Sequence, residues 1–375
     1  MRFKTSRLKK DQGVSGSKKH GPIGLHANES VLPQIVNKTN NTPVIPTTAE
    51  STHIDYRRLR DRLGIFLYRQ RMNMQLYHAA QVMGAGRTRF HPENMPLLRR
   101  VLSLGLKATG LYWLGNRNAR RIRVQHNEVA LRRLPDVFIG YRILQISDLH
   151  LDIDPGITDA LLKKLDNIEY DLCVITGDYR AETYGDITPA MEQTRRVISS
   201  LKTPVLAILG NHDFLEMLPC LESMGVKMLM NEHVPVSVEE QVIYVVGIDD
   251  PHFYETEDIE QAIKGVPPEA TTILLAHSAE VYRKALACGI DYVLCGHTHG
   301  GQICLPGGRA ILHNAHHPRQ MIRGAWRYHD LQGYTSTGTG CSMVPVRFFC
   351  PPEIVLHTLR RAGTQLPQFP IPGLD

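Results

Sequence analysis

Five short apolar runs in this chain each end directly in a polar cluster. The clusters are SDLH (147–150), TGD (176–178), GNHD (210–213), AHS (276–278) and GHTH (296–299). Short apolar runs bounded by turn residues are typical of buried strands. Ends of buried strands are where sites assemble in α/β proteins, so the fold must bring these clusters to a common edge.

Helical patterns lie between several of these strands. They occupy residues 157–168, 191–201 and 279–289, and a sixth apolar run, VIYVVGI, covers residues 242–248. Alternation of strand and helix predicts an α/β domain, which we place at residues 122–362.

Charge is unevenly distributed along the 375 residues. Residues 57–133 contain seventeen Lys and Arg against three Asp and Glu, whereas residues 134–375 contain eighteen against thirty. An acidic body tolerates bound divalent cations, and a basic arm favours anionic surfaces. We therefore expect a basic arm joined to an acidic domain, each with its own partner.

The two ends of the chain are poor in apolar residues. Residues 1–53 contain too little apolar surface to offset chain entropy, so we expect disorder there, and residues 363–375 read as a Pro-rich tail. The basic N-terminus is not followed by the apolar stretch that a secretion signal requires. Seven cysteines without a CxxC pair indicate free thiols in a reducing compartment, and we expect a cytoplasmic protein.

Residues 54–121 carry apolar residues at helical spacing between arginines, which predicts a basic amphipathic helical region. Its most apolar part, residues 97–115, includes Arg99, Arg100 and Lys107, whereas a bilayer span needs about 20 apolar residues. Leu, Tyr and Trp on an Arg-rich helix suit peripheral binding to anionic lipid at the inner face of the membrane. Packing on the main domain would require the same apolar helix face, so both alternatives stay open. Nucleic acid is not an expected partner, because no aromatic–basic binding motif is present.

Each polar cluster alone is most often a turn or a structural histidine, but five of them together indicate a common metal site. Carboxylate, imidazole and amide oxygen ligands suit divalent Mn, Fe, Zn or Mg. Their number exceeds the needs of one ion, so we expect two divalent metal ions, with the spacing of about 3.5–4 Å usual in two-metal sites. The candidate side chains are Asp148, His150, Asp178, Asn211, His212, His277, His297 and His299.

The order DxH, GD, GNH, H and GHxH resembles that of the calcineurin-like metallophosphoesterases, over roughly residues 122–360. SDLHLD, GHTHGGQICLPGG and VPVRFFCPPEI are similar to the bacterial envelope-associated phosphodiesterase branch. The resemblance implies a four-layer α/β/β/α sandwich, here with an N-terminal basic helical extension. It also implies a first ion held by Asp148, His150, Asp178 and His299, and a second held by Asp178, Asn211, His277 and His297, with Asp178 as the bridge.

His212 is then left without a metal role. We expect it to contact the substrate, where it would stabilise phosphoryl charge or protonate the leaving oxygen. The ions would lower the pKa of a bridging water and supply hydroxide for attack on phosphorus. Asp213 is expected to orient His212 or to cap the next helix. Asp249 and Asp250 are candidates for orienting ligand histidines, with a strand-end turn as the alternative.

The predicted function is a dinuclear metal-dependent phosphoesterase that cleaves a phosphodiester or pyrophosphate bond. The basic arm favours a membrane-surface or lipid-linked substrate, such as UDP-diacylglucosamine. One alternative is a soluble nucleotide phosphodiesterase. Another, of a different class, is a non-catalytic membrane-associated binding protein with the same fold. A panel of substrates assayed with and without lipid separates these functions.

Overall fold

The computed structural model describes residues 55–78, 95–202, 204–311 and 314–363. The disorder expected for residues 1–53 lies outside these ranges, as does all of the expected tail after residue 363. The helices are α1 (Tyr56–Leu63), α2 (Ile65–His78), α3 (Pro96–Ala108), α4 (Leu111–Ala119), α5 (Pro155–Leu165), α6 (Thr188–Ser200), α7 (Met217–Ser223), α8 (Ile259–Ala262) and α9 (Tyr282–Ala287).

The strands form two six-stranded sheets and a short ribbon. The first sheet has the order β1-β14-β2-β3-β4-β5, the second has the order β12-β13-β9-β8-β7-β6, and β10 pairs with β11. The strands are β1 (Arg123–Leu131), β2 (Arg142–Ile146), β3 (Leu172–Thr176), β4 (Val205–Ile208), β5 (Val226–Met228), β6 (Glu232–Val238), β7 (Gln241–Gly247), β8 (Thr272–Leu275), β9 (Tyr292–Cys295), β10 (Cys304–Leu305), β11 (Arg309–Ala310), β12 (Gly324–Tyr328), β13 (Leu331–Thr335) and β14 (Glu353–Arg361).

The six strands expected from the apolar runs are confirmed as β2, β3, β4, β7, β8 and β9. In the first sheet β2 to β5 run parallel, and in the second β7, β8, β9 and β13 run parallel. Carboxyl ends of parallel strands lie at one edge of a sheet, so each sheet presents its polar clusters at one edge.

Strand side chains alternate between two apolar layers. In β3, Val174 packs between the sheets with Ile243 and Leu275 of the second sheet, whereas Ile175 packs on the outer side with α5 and α6. Because successive side chains of a strand point to opposite faces, a strand buried on both sides needs a continuous apolar run. This explains why the apolar runs do not alternate apolar with polar residues.

Helices cover the outer face of each sheet. Residues of α5, α6 and α7 pack on the first sheet, and residues of α8 and α9 pack on the second. The layers therefore follow the order α/β/β/α, which confirms the expected four-layer sandwich.

Helices α1 and α2 pack on the domain. Leu59 and Leu63 are buried in the core of the first sheet, and Leu67 and Met72 lie against the same core. Gly64, with φ 75°, separates α1 from α2. For these two helices the structure favours the second alternative, packing on the main domain.

Helices α3 and α4 expose their apolar residues instead. Leu97, Leu104 and Trp113 are 72%, 70% and 64% exposed. Gly115, by contrast, is buried, and a Cβ there would meet Val346 at 2.6 Å, so α4 touches the domain at this point. We call the segment 95–121 the α3–α4 hairpin. Within the described ranges, no helix is both long and apolar enough to cross a membrane.

Candidate metal centre

Five loops that follow strands supply the predicted site residues, and the structure brings these residues together where the two sheets meet. The loops after β2, β3 and β4 come from the first sheet, and those after β8 and β9 come from the second. The eight side chains are all buried. Burying this many ionisable groups is costly unless they bind one another or a cation, so the cluster itself indicates a binding site.

The first group of ligand-type atoms comes from Asp148, His150, Asp178 and His299. His150 Nε2 lies 3.0 Å from His299 Nε2 and 3.6 Å from Asp178 Oδ2. His299 Nε2 lies 3.7 Å from Asp148 Oδ1. Ligands bound at about 2.1 Å to one ion are separated by about 3.0–3.4 Å, so these atoms have nearly the spacing of a metal site.

The second group comes from Asp178, Asn211, His277 and His297. Asn211 Oδ1 lies 3.0 Å from His277 Nε2 and 2.9 Å from His297 Nδ1. His277 Nε2 also lies 3.3 Å from Asp178 Oδ2. Asp178 Oδ2 is therefore close to both groups, as a bridging carboxylate oxygen must be.

Backbone carbonyls orient three of the histidines. His150 Nδ1 donates to the carbonyl of Arg180 at 2.6 Å, and His277 Nδ1 donates to that of Thr176 at 2.7 Å. In His297 the roles of the two nitrogens are exchanged: Nε2 donates to the carbonyl of Asn314 at 2.6 Å, and Nδ1 is the atom in the second ligand group. A histidine that donates one ring N–H to a carbonyl presents its other nitrogen as a metal ligand. The ring orientations thus fit a metal centre.

The backbone at these residues is strained. Asp148, His150, Asp178, His297 and His299 all have φ between 42° and 72°. Residues other than glycine rarely adopt positive φ, and such strain concentrates at functional sites. It accompanies the placement of Asp148 and His150 in the first group and of His299 and His297 in the first and second groups.

Gly296 makes close packing possible at this point. A Cβ on residue 296 would lie 1.9 Å from Ser147 Oγ and 2.2 Å from Asp148 Oδ2. Ser147 Oγ also donates to Asp148 Oδ2 at 2.6 Å. The first glycine of GHTHGG is therefore required by contact with the SDLH cluster.

The electrostatics of the cluster favour a cation. Burial would raise the pKa of Asp178, but His277, His212 and His150 hold it well below its usual value. Burial would lower the pKa of His277, yet Asp178 and Asp148 raise it to about 10. The same carboxylates that attract a proton to His277 attract a metal ion. Burial lowers the pKa of His150 to about 3, which keeps this imidazole neutral and able to act as a ligand.

His212 points toward Asp178 without belonging to either group. Its Nδ1 donates to the carbonyl of Ala181 at 2.8 Å, and its Nε2 lies 4.0 Å from Asp178 Oδ2. Its backbone N–H donates to Asp178 Oδ1 at 2.9 Å, which ties the GNHD turn to the bridging residue.

The expectation for Asp213 was wrong in both of its forms. Its carboxylate neither orients His212 nor caps a helix, but accepts the backbone N–H groups of Asp178, Tyr179 and Gly210 at 2.8–2.9 Å. Asp213 thus joins the TGD turn to the GNHD turn. Because hydrogen bonds to a charged acceptor are stronger than those to a neutral one, this carboxylate holds both turns in place.

Asp249 and Asp250 also do not bond the ligand histidines. Asp250 accepts the backbone N–H groups of residues 252, 253 and 254, which is the strand-end turn given as the alternative. Asp249 accepts a hydrogen bond from Thr256 Oγ1 at 2.6 Å. Neither carboxylate is needed for the imidazoles, because carbonyls already hold three of them.

Sequence reasoning missed His252 and Glu280. The His252 ring centroid lies 4.0 Å from that of His297, and its Nδ1 lies 3.1 Å from Glu280 Oε1. Glu280 Oε1 also accepts the backbone N–H of His316 at 2.6 Å. His252 and Glu280 therefore line one side of the second group of ligand atoms. The sequence did offer one signal for this site, because His252 lies four residues after the apolar run 242–248.

Comparisons with known proteins agree with this geometry. The family model described as calcineurin-like phosphoesterase matches residues 141–301. A Bos taurus protein, "Transmembrane protein with metallophosphoesterase domain", is 29% identical over 257 residues, which cover 63% of this chain and 56% of that protein. The chain thus spans little more than half the length of this relative.

Two proteins of Bacillus subtilis match over more of their length. The uncharacterized metallophosphoesterase YkoQ is 26% identical, over 65% of this chain and 93% of its own. The uncharacterized protein YpbG is 30% identical, over 58% of this chain and 80% of its own. The matched family model, these relatives and the two ligand groups lead to one conclusion. The chain belongs to the calcineurin-like phosphoesterase family.

Proposed function

We propose that the protein is a dinuclear metal-dependent phosphoesterase that hydrolyses a phosphodiester or pyrophosphate bond. The observation that carries this proposal is that two groups of ligand-type atoms share one carboxylate, that of Asp178. Neighbouring ligand atoms within each group lie 2.9–3.7 Å apart. Asp148, His150, Asp178 and His299 would hold one divalent ion, and Asp178, Asn211, His277 and His297 the other.

The chain's own residues have separate tasks in this reaction. Bound Mn, Fe, Zn or Mg ions would supply an activated water and neutralise charge on the phosphoryl oxygens. His212 holds its Nδ1–H on the Ala181 carbonyl, so Nε2 is the atom that faces the reacting group. We assign to His212 Nε2 the binding of a phosphoryl oxygen or the transfer of a proton to the leaving oxygen.

The α3–α4 hairpin supports a substrate at a membrane surface. Residues 95–121 include six Lys and Arg and no Asp or Glu. Leu97, Val101 and Leu104 follow one another at helical spacing, lie on one face of α3 and are exposed. An exposed apolar face on a basic helix is the pattern of an interfacial helix on anionic lipid.

The hairpin also contacts the loop after β3, which belongs to the candidate site. Arg99 forms an ion pair with Glu182, the residue after Ala181, whose carbonyl bonds His212. A hairpin bound to lipid would therefore hold this loop at the membrane surface. On these grounds we place the protein in the cytoplasm, peripheral on the inner face of the membrane. The cattle relative is also named as a membrane protein. The corresponding substrate is lipid-linked, such as UDP-diacylglucosamine.

A substrate panel tests the proposed chemistry. Purified protein loaded with Mn or Zn would be assayed on UDP-diacylglucosamine in anionic vesicles, on cyclic nucleotides and on aryl phosphodiesters, with Asp178→Asn as control. We expect hydrolysis of the lipid substrate that depends on vesicles and is lost in Asp178→Asn. Preference for cyclic nucleotides without lipid would instead favour the soluble nucleotide phosphodiesterase. Equal, residual rates for both proteins on every substrate would favour a non-catalytic binding protein.

Vesicle binding tests the hairpin separately. The double variant Arg100→Gln/Lys107→Gln removes two exposed charges, each worth about 1 kcal/mol at an anionic surface, which predicts roughly 30-fold weaker binding. Lys163→Gln/Lys164→Gln is the matched control, because these exposed lysines lie on α5. Equal binding by both double variants would contradict membrane docking through the hairpin.

A further inference from the structure

Helix α2 lies across two loops that flank the second ligand group. Gln75 Oε1 accepts the backbone N–H of Leu215 at 3.0 Å, just after the GNHD turn. Gln70 Nε2 donates to the carbonyls of Tyr254 and Glu255 at 2.9 and 3.0 Å, in the loop after β7. A helix from the basic arm thus binds loop backbone with side-chain amides and fixes both loops.

Arg71, between these two glutamines, is fully buried. Its Nη2 donates to the carbonyl of Asp213 at 2.9 Å, and its Cζ lies 3.3 Å from the ring centroid of Tyr254. Its Nε lies 3.6 Å from Asp249 Oδ2. A buried guanidinium needs such partners, so these contacts fix the position of Arg71 relative to both loops.

The contact with Asp213 connects Arg71 to the metal centre. The Asp213 carboxylate already binds the backbone N–H groups of Asp178 and Gly210, and Arg71 binds its main-chain carbonyl. Asp213 is therefore held on both sides, by the two metal-binding turns and by α2. A shift of Asp213 would move Asn211 and His212, which lie immediately before it.

We propose that Arg71 is a positioning residue of the metal centre and that α2 is part of the catalytic unit. This proposal rests on the proposed function for the identity of the site. Partners beyond the direct ligands commonly change metal affinity by about 10–100-fold when removed. Arg71 acts through Asp213 on the turn that carries Asn211, so the ion of the second group is the one it affects.

Two variants keep the test independent of folding failure. Arg71→Lys retains the buried positive charge but loses the planar guanidinium that reaches Asp213, Asp249 and Tyr254 together. The double variant Arg71→Met/Asp249→Asn removes both charges, so that neither is left buried without its partner.

Arg62 offers a matched control. It lies in α1 and forms ion pairs with Glu222 and Glu232, and it donates to the carbonyl of Met228 at 3.0 Å. It bonds none of the loops that carry the proposed ligands. Arg62→Lys should therefore lower the melting temperature while leaving metal binding unchanged.

Calorimetric titration of the metal-free 375-residue chain with Mn²⁺ is the decisive measurement. We expect both Arg71 variants to bind the weaker of two ions at least tenfold less tightly than Arg62→Lys does. On an aryl phosphodiester, kcat should fall while KM changes less than twofold. Mn²⁺ affinities equal to those of Arg62→Lys would overturn the proposal. Weakened Mn²⁺ binding without phosphoesterase activity, even in the wild type, would support the positioning role and refute the proposed function.

Discussion

Replacement of Asp213 by asparagine tests whether one buried carboxylate holds together two turns that carry proposed metal ligands. Asparagine keeps one oxygen for the N–H groups of Asp178 and Gly210, but its amide nitrogen then faces the N–H of Tyr179. One hydrogen bond to a charged acceptor is lost, worth about 1.5–3 kcal/mol, and two are weakened by roughly 1 kcal/mol each. We expect Asp213→Asn to lower the free energy of unfolding by about 4 kcal/mol.

The assay combines urea unfolding of the metal-free protein with Mn²⁺ titration at pH 8. Burial and the nearby Asp178 raise the pKa of Asp213 to about 6, so the carboxylate is ionised at this pH. Asp291→Asn is the control, because Asp291 accepts the backbone N–H of Thr272 at 2.9 Å and pairs with Arg133, at the ends of β8 and β9 opposite to those that carry the proposed ligands. Both variants should lose stability, and only Asp213→Asn should lose Mn²⁺ affinity. Equal Mn²⁺ affinities in the two variants would show that Asp213 does not position the proposed metal ligands.

Three further variants test the roles of His212, Gly296 and His357. His212→Ala should lower kcat at least 100-fold while two ions stay bound, as measured by steady-state kinetics and metal analysis; unchanged kcat would exclude His212 from the reaction. Gly296→Ala should weaken binding of the first ion, because the new Cβ would displace Asp148, and unaltered titration with Mn²⁺ would contradict that. Burial lowers the pKa of His357 to about 3, so the unfolded chain binds the proton that the folded chain excludes. Stability from this neutral histidine is therefore lost below about pH 6.5, by about 1.4 kcal/mol per pH unit, and urea unfolding of His357→Gln should lack this loss.

The sequence was informative about the site because strand ends combine two readable signals. A continuous apolar run predicts a strand buried on both faces, and the ligand-type residues follow that run directly. GHTH illustrates this, since Tyr292–Cys295 forms β9 and His297 and His299 then enter separate ligand groups. The α/β class and the clustering of the eight candidate side chains could therefore be predicted from these runs, whereas the four-layer sandwich was what the family resemblance implied.

The supports of the site could not be predicted in the same way. Arg71 is one of seventeen basic residues in segment 57–133, and nothing local distinguishes it from its exposed neighbours. Its burial depends on how α2 packs on a loop at least 140 residues away in the chain. The role of Asp213 could not be predicted either, because it depends on hydrogen bonds between two loops. Tertiary contacts of this kind leave no periodic signal in the sequence.

The helical arm shows where periodicity misleads. Apolar spacing predicted one amphipathic helical region with either lipid or the main domain as its partner, whereas four helices are present in the described part of the arm. Gly64 and Gly110, both at positive φ, separate the helices within each pair. Leu63 is buried on the domain, while Leu104 is 70% exposed. The same residue type thus has two environments, and only the packing of each helix distinguishes them.

The number of metal ions bound per chain shows whether the two ligand groups form a dinuclear centre. Metal-free protein would be loaded with Mn²⁺ or Zn²⁺, separated from free metal and analysed for metal content alongside Asp178→Asn. A dinuclear centre bridged by Asp178 predicts two ions per chain in the wild type and at most one in the variant, because both ligand groups share the Asp178 carboxylate. A wild-type chain that binds one ion or none, or a variant that retains two, would contradict it.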